Sequence, residues 1–442
     1  MHFKHAGLLI VTLSFLLFGG MLQSMPGEHS AVSPKSAVDV REGPGSFYPM
    51  VIRLRETAQI HVTDRTEGWV EIQSGDFSGW IPTLVLDEAG PDAHPDTRDD
   101  PESRFGSLRD RFDRAFDDDH QQPEPYVSEA QVVAAVKGFI ENHIATTASD
   151  LTDLSHFFEY RYDPGSYLAF RESRISAREW SRIQRRHRLS HSDLPSPQPD
   201  LDLVGWAAGN RIAQIGVYDD PRLRTYLNHI AMLVAENSHR PDIPVRVIVL
   251  DTDDISGYAV PGGLIFVSLG AVKLMQTEAE FAAFIGHEIA HLAFQHGQTE
   301  LEKRGTRIRA DDATRRMDQV IEEAGMTDER YRDITKELQQ TADQLFEYLI
   351  AGRLHAYEAE SDLYGMIYAT RAGYRGNALY NVIERISLFH RDPESDRKSA
   401  WYGDTLHNRL KALKEELART PMHQGNHHAQ PWNDHTRHLQ YR

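Results

Sequence analysis

His287, Glu288 and His291 lie in the stretch Phe281–Gly297, FAAFIGHEIAHLAFQHG, and spell H-E-x-x-H. On a helix, positions four apart share one face, one turn from each other. Two imidazoles so placed can hold one metal ion, and the carboxylate beside the first can reach a water on that metal. The chain has 23 His among 442 residues; at that abundance on the order of 0.1 chance matches to the pentapeptide are expected. The motif alone thus points to a metal centre without deciding against an amphipathic helix that carries two surface histidines. A hydrolytic site of this kind uses three protein ligands and leaves a fourth position for water. The chain contains no cysteine, so the third ligand is expected to be a carboxylate. Glu358, four residues before Asp362 in YEAESDLYG, is the best candidate, with Asp362 placed to orient a ligand by hydrogen bond. From spacing alone, a solvated charge on a polar helix is the commoner reading of any one such Glu.

The elements that must position these residues are well signalled. Thr277 and Glu280 form a T-x-x-E capping box, Phe281, Phe284, Ile285, Ile289 and Leu292 supply apolar positions, and Gly297 is a natural stop. Upstream, Asp220-Pro221 opens a helix in which Leu223, Tyr226, Leu227, Ile230, Leu233 and Val234 follow the i, i+3, i+4, i+7 pattern. Pro244–Leu250 reads as a strand, and Ser256–Leu269 as a turn and second strand leading into a helix at Gly270–Met275. Beyond Gly297, residues 298–340 read as a polar helical insertion and 341–372 as a helix ended by Gly373. Ser128 and Gln131 form a further capping box at the start of the large domain.

A length of 442 residues suggests two to three domains, and the net charge of −18 argues against a nucleic-acid partner and against a general attraction to anionic lipid. The absence of cysteine excludes disulfides and a lipoprotein anchor. His2, Lys4 and His5 precede the apolar run Ala6–Phe18, followed by Gly19-Gly20. Residues 1–24 therefore read as a signal peptide or a retained N-terminal anchor, the anchor being the one expected membrane contact. Either places the remainder outside the cytoplasm, in the periplasm or cell envelope, with attachment to the inner membrane if the segment is kept. Residues 36–87 carry short β-type runs separated by turn residues and read as a small barrel. VREGPGSFYPMV, EGWVEI and SGWIPTLVL within it resemble the bacterial SH3-like domain. The resemblance implies a peptide or cell-wall ligand, for which Tyr48, Trp69 and Trp80 are the aromatic candidates; burial in the barrel is the favoured reading of both tryptophans. Residues 88–126 read as an acidic linker, 127–420 as the large domain, and 421–442, with His423, His427, His428, His435 and His438, as a disordered His-rich tail that could bind metal loosely.

The segment from Asp220 to about Gly373 resembles the gluzincin peptidases, the family that includes HtpX, BepA and the CAAX prenyl protease. The motifs are HEIAH (His287–His291), AVPGGLIFVSLGAV (Ala259–Val272), EAESD (Glu358–Asp362) followed by Gly365, and RAGY (Arg371–Tyr374). The resemblance implies one Zn²⁺ per chain on His287, His291 and Glu358, with Glu288 as general base and Asp362 behind the ligands. It also implies that Gly262, Gly263, Leu264, Ile265 and Phe266 form the strand edging the substrate cleft. Exported members often carry a T-H-P loop whose His can sit on the zinc; the counterpart is Thr405-Leu406-His407-Asn408, without the Pro, so His407 is a candidate regulatory ligand. The basic residue expected shortly after is not clearly in register. The expected fold is α+β, a mainly helical zincin-type metallopeptidase domain with a small edge sheet, preceded by the small SH3-like β-barrel. The expected function is a zinc endopeptidase of the bacterial envelope acting on misfolded or extended proteins. The alternatives are a chaperone-like or scaffold protein with latent proteolysis, and a cell-wall hydrolase.

Overall fold

The computed structural model describes residues 34, 38–55, 58–66, 68–75, 77–86, 126–127, 160–187, 189, 201–297, 355–390, 406–419, 422 and 425–441. The segment 1–24, the linker up to residue 125, the helix expected after Ser128 and the insertion 298–340 lie outside the described residues. Among the described residues, no helix is long and apolar enough to cross a membrane.

The N-terminal strands are β1 (Val38–Arg41), β2 (Met50–Leu54), β3 (His61–Thr66), β4 (Trp69–Ser74), β5 (Phe77–Pro82) and β6 (Tyr126–Val127), in the order β3-β4-β5-β1-β2-β6. Their pairings are all antiparallel. Period-two alternation puts Val38, Val40, Ile52, Leu54, Val70, Ile72 and Ile81 into one core. Trp69 is buried and Trp80 half-buried. The turn GPGSFY does not face outward. Phe47 is 3% exposed and its ring centroid lies 4.6 Å from that of Tyr167, while the Ser46 hydroxyl donates to Met232 Sδ at 3.5 Å. Tyr48, the ligand candidate in this turn, packs against the same large core. Residues 31–442 form one unit on this account.

The large domain contains α1 (Pro164–Arg174), α2 (Ala177–Arg186), α3 (Leu201–Ala213) and α4 (Pro221–Glu236). Strands β7 (Arg246–Leu250), β8 (Gly257–Val260) and β9 (Leu264–Ser268) follow, then α5 (Leu269–Leu274), α6 (Glu278–Ala293), α7 (His355–Arg371), α8 (Ala378–His390), α9 (Leu406–Arg419) and α10 (Ala429–Thr436). Helix α6 is buried along its whole length, as befits an element packed on every side. Thr277 forms the expected N-cap, its Oγ1 accepting from the Glu280 amide at 3.1 Å, while Glu280 Oε2 reaches one residue beyond the N-cap and accepts from the Gln276 amide at 2.7 Å. Both acidic residues of its first turn are anchored by guanidinium groups. Arg174 donates to Glu278 at 2.7 and 2.6 Å, and Arg385 donates to Glu280 at 2.9 Å through both terminal nitrogens. A buried carboxylate needs such a partner, and this pairing pins the start of α6 to α1 and α8.

Two expectations are corrected. The sheet order is β7-β9-β8, so the segment expected to edge the cleft is instead central. Leu264, Ile265 and Phe266 pair with β7 on one side and β8 on the other, while Gly262 and Gly263, at φ 84° and 82°, make the turn between β8 and β9. The continuous run LIFV is what a strand enclosed on all sides requires, whereas an edge strand tends to alternate. The edge strand beside α6 is β8. The C-terminal segment is also ordered. Trp432 is 1% exposed and its indole N–H donates to the Met275 carbonyl at 2.8 Å. The His435 ring stacks on Tyr226 with centroids 3.7 Å apart, and Leu439 and Met422 are buried. One large aromatic and two aliphatic anchors outweigh a polar composition that by itself suggests disorder.

Candidate metal centre

The site is built where α6 and α7 cross, and two glycines set how close they come. A Cβ on Gly286 would stand 2.8 Å from the Gly365 carbonyl oxygen, and a Cβ on Gly365 would stand 2.7 Å from the His287 amide nitrogen. Backbone therefore meets backbone at the crossing. Glu358 and Asp362 lie four apart on the face of α7 that also carries Gly365, so the close approach delivers both carboxylates to His287.

His287 and His291 point their Nε2 atoms at each other, 3.1 Å apart. Glu358 Oε2 is 3.4 Å from His287 Nε2, and its Oε1 is 3.3 Å from His291 Nε2. A tetrahedral zinc with bonds of about 2.0–2.1 Å has ligand–ligand edges of about 3.3 Å. All three residues are buried, and among the described residues they form the one cluster of three or more that could hold a metal ion. The chemistry of the set agrees with the spacing. Asp362 Oδ1 accepts from His287 Nδ1 at 2.9 Å; a carboxylate only accepts, so the neutral ring has its lone pair on Nε2, facing the other donors. The His287, His291 and Glu358 placements thus bring together the residues named from the sequence, and Asp362 stands behind His287.

The residue that sequence spacing missed is Arg409 on α9. Its Nε and Nη2 donate to Asp362 Oδ2 and Oδ1, both at 2.7 Å, and its Nη1 lies 3.0 Å from Glu358 Oε2. Arg409 is 1% exposed, held by Leu406 and Leu413, which bury on the same face of α9 three and four residues away. His407 lies on α9, but its side chain is outside the described residues. Burial would raise the pKa of Glu358, but Arg409 and then His287 hold it well below the usual carboxylate range. Burial disfavours a charge on His287, yet Glu358, and after it Asp362, raise it above the ordinary imidazole value.

Glu288 is fully buried next to this cluster and faces β8: a Cβ on Gly257 would stand 2.7 Å from Glu288 Oε1 and 2.8 Å from the Phe284 ring. Only glycine leaves that carboxylate its place.

Residues 220–420 match the model of peptidase family M48, and residues 36–87 match the bacterial SH3 domain. The mitochondrial metalloendopeptidase OMA1 of Arabidopsis thaliana is 24% identical over 180 residues, 41% of this chain and 33% of that protein. A putative beta-barrel assembly-enhancing protease of Vibrio cholerae is 22% identical over 178 residues, 39% of this chain and 34% of that protein. The beta-barrel assembly-enhancing protease of Yersinia pestis is 25% identical over 84 residues, 19% of this chain and 17% of that protein. These alignments span about a third or less of the relatives' length. The paired histidines on α6, the carboxylate on α7 and the family match fall in one segment: residues 220–420 are a metal-dependent peptidase domain of family M48, and residues 36–87 are a bacterial SH3 domain.

Proposed function

We propose that the chain is a zinc-dependent endopeptidase that hydrolyses peptide bonds in misfolded or extended proteins of the bacterial envelope. The observation that carries this reading is the convergence of His287 Nε2, His291 Nε2 and the Glu358 carboxylate within 3.1–3.4 Å of one another. Two nitrogens and one carboxylate oxygen suit Zn²⁺. When bound, zinc supplies a Lewis acid that polarises the scissile carbonyl and lowers the pKa of a bound water toward about 7.

The protein's part is orientation and proton transfer. His287 and Glu358 are held by Asp362 and Arg409, so two of the three ligands reach the site already fixed. Glu288 accepts the proton of the attacking water at a carboxylate oxygen and delivers it to the leaving amine nitrogen, so no proton is lost. Gly257 of β8 lies against this carboxylate, which favours an extended substrate segment on the β8 side rather than along β9. Envelope location rests on the apolar N-terminal segment and on the likeness to the beta-barrel assembly-enhancing proteases of Vibrio cholerae and Yersinia pestis. The SH3 domain spends its GPGSFY turn on the peptidase domain, which favours a scaffolding role for that turn and leaves ligand contact to other surfaces.

The test is digestion of casein by the full chain, with chelator and zinc add-back, beside Glu288→Gln. Cleavage that chelator abolishes, zinc restores and the variant lacks, at unchanged zinc stoichiometry, is expected. Glu288→Gln cleaving at the wild-type rate would remove the general base from the scheme. Zinc binding with no turnover in either protein would favour the chaperone-like alternative.

A further inference from the structure

The helix that bears the H-E-x-x-H motif carries a third histidine beyond it, with a defined geometry. Past the end of α6 the backbone of Gln295 turns left-handed, at φ 51°, and this returns His296 to the side of His291. The two rings meet at their Nδ1 atoms, 2.9 Å apart. His296 Nε2 is 2.9 Å from Glu360 Oε2 on α7, and Ser361 Oγ is 3.4 Å from His296 Nδ1. The His296 ring is 3% exposed, stacked on Tyr357 at 4.5 Å and on Phe294 at 5.8 Å.

Donor and acceptor parity settles the direction of this chain. An ionised Glu360 only accepts, so His296 carries its hydrogen on Nε2 and, as a neutral ring, presents an acceptor at Nδ1. His291 must then donate from its own Nδ1, which leaves the His291 lone pair on Nε2, facing His287 and Glu358. The opposite tautomer of His296 would set its bare Nε2 against the acceptor-only Glu360 carboxylate, and its Nδ1 hydrogen against the one that His291 carries on Nδ1 when its Nε2 is free for a metal. His287 obtains the same result directly from Asp362. Residues 358–362 of α7 therefore serve both histidines: Asp362 through one bond, Glu360 through two.

We propose that Glu360 and His296 are positioning residues that fix the ring and tautomer of His291 for metal binding. This rests on the metal-centre reading above. The competing role for His296 is packing alone, through its stack on Tyr357. His296→Phe separates the two, because it keeps an aromatic ring on Tyr357 and removes both ring nitrogens. Glu360 has 43% of its side chain exposed, so its replacement leaves the core intact.

The experiment measures zinc affinity of the full chain by competition with a chromogenic chelator, alongside the melting temperature of each metal-free protein. His296→Phe is expected to weaken zinc binding about 10- to 100-fold, the usual effect of losing a group behind a metal ligand. Glu360→Ala is expected to weaken it about 10-fold, and Glu360→Gln, whose amide oxygen still accepts from Nε2, to restore it to within about 3-fold of wild type. Wild-type affinity in His296→Phe overturns the proposal, as does equal affinity in Glu360→Ala and Glu360→Gln. Should His296→Phe fail to fold, the two Glu360 variants decide alone. A wild-type protein that binds no zinc, or one whose His287→Ala variant binds as tightly, overturns the metal centre itself.

Discussion

Gly365→Ala tests the helix crossing on which the site depends. In an ordinary helix interior this substitution is favourable by about 1 kcal/mol, because alanine restricts the unfolded chain. Here the added Cβ would stand 2.7 Å from the His287 amide nitrogen, 3.0 Å from its Cα and 3.1 Å from the Ala283 carbonyl oxygen. All three atoms are backbone of α6 and cannot swing aside. Restoring an ordinary 3.4 Å contact requires α7 to withdraw by about 0.7 Å. Overpacking of this kind costs about 1–3 kcal/mol, enough to cancel or reverse the propensity gain. The metal-free protein can relieve the strain by letting the helices part. Zinc binding must bring Glu358 back, because ligand distances tolerate only about 0.2 Å, so the strain reappears as lost affinity. A cost of about 1–3 kcal/mol corresponds to about 5- to 150-fold in the zinc dissociation constant. Chelator competition reads that constant, and urea unfolding of the metal-free protein reads the stability. A variant that is about 1 kcal/mol more stable than wild type, with unchanged zinc affinity, would refute the close crossing. Gly286→Ala, which meets the Gly365 carbonyl from the other helix at 2.8 Å, should behave alike.

Three other outcomes follow from the structure. The pKa of His287 is raised above 6.5, so its contribution to the stability of the metal-free protein is complete below that value and is lost as pH rises through the raised value. Glu358 is held well below 4.5, so its contribution is complete above 4.5 and is lost as pH falls through the lowered value. These two groups therefore favour a melting-temperature maximum of the metal-free protein between 4.5 and 6.5. The increment added by zinc should grow above that window, since His287 must shed its proton to bind; an increment that shrinks toward alkaline pH would contradict the ligand assignment. Trp432→Ala removes a side chain that is 1% exposed and packs 5.4 Å from Phe281, between ring centroids. It should cost about 3–5 kcal/mol in denaturant unfolding, whereas a disordered tail would register no change.

Local signals carried much of the fold. The capping box at Thr277 and Glu280 marks the start of α6 because its hydrogen bonds close within four residues, so the pattern is complete in the sequence. The alternation of Val38, Val40, Ile52 and Leu54 likewise reads as half-buried strand without tertiary knowledge. Strand order is a different kind of fact. The run Leu264–Val267 is fully apolar whether its strand is central or stacked under a helix, and only the pairing with both β7 and β8 distinguishes these. The tail misled for a related reason. Five histidines and little else apolar suggest a solvated segment, but the cavity that receives Trp432 is made by Phe281, Tyr226 and the Met275 carbonyl, far away in the chain.

The site divides along the same line. His287 and His291 could be named because they sit one helical turn apart, a spacing with a mechanical meaning, whereas Glu358 was singled out as a ligand by the resemblance of EAESD to the gluzincin motif. Arg409 and His296 have no such spacing. Arg409 reaches the centre because Leu406 and Leu413 fix the rotation of α9, and nothing in the order of residues 406–419 says that this buried face is aimed at Asp362 rather than at plain core. His296 returns to His291 through a left-handed residue, Gln295, that no glycine or asparagine announces. Their place in the centre follows instead from a rule about carboxylates and imidazoles in a buried space: each buried polar group must be met. Asp362, with two oxygens and one imidazole hydrogen to accept, needed further donors, and an arginine supplied two at 2.7 Å. His291, with its inner nitrogen turned to the metal cluster, needed an acceptor for the outer one, and His296 stands there at 2.9 Å. The unmet hydrogen-bonding capacity of a motif's residues is thus a guide to which distant side chains must arrive beside it.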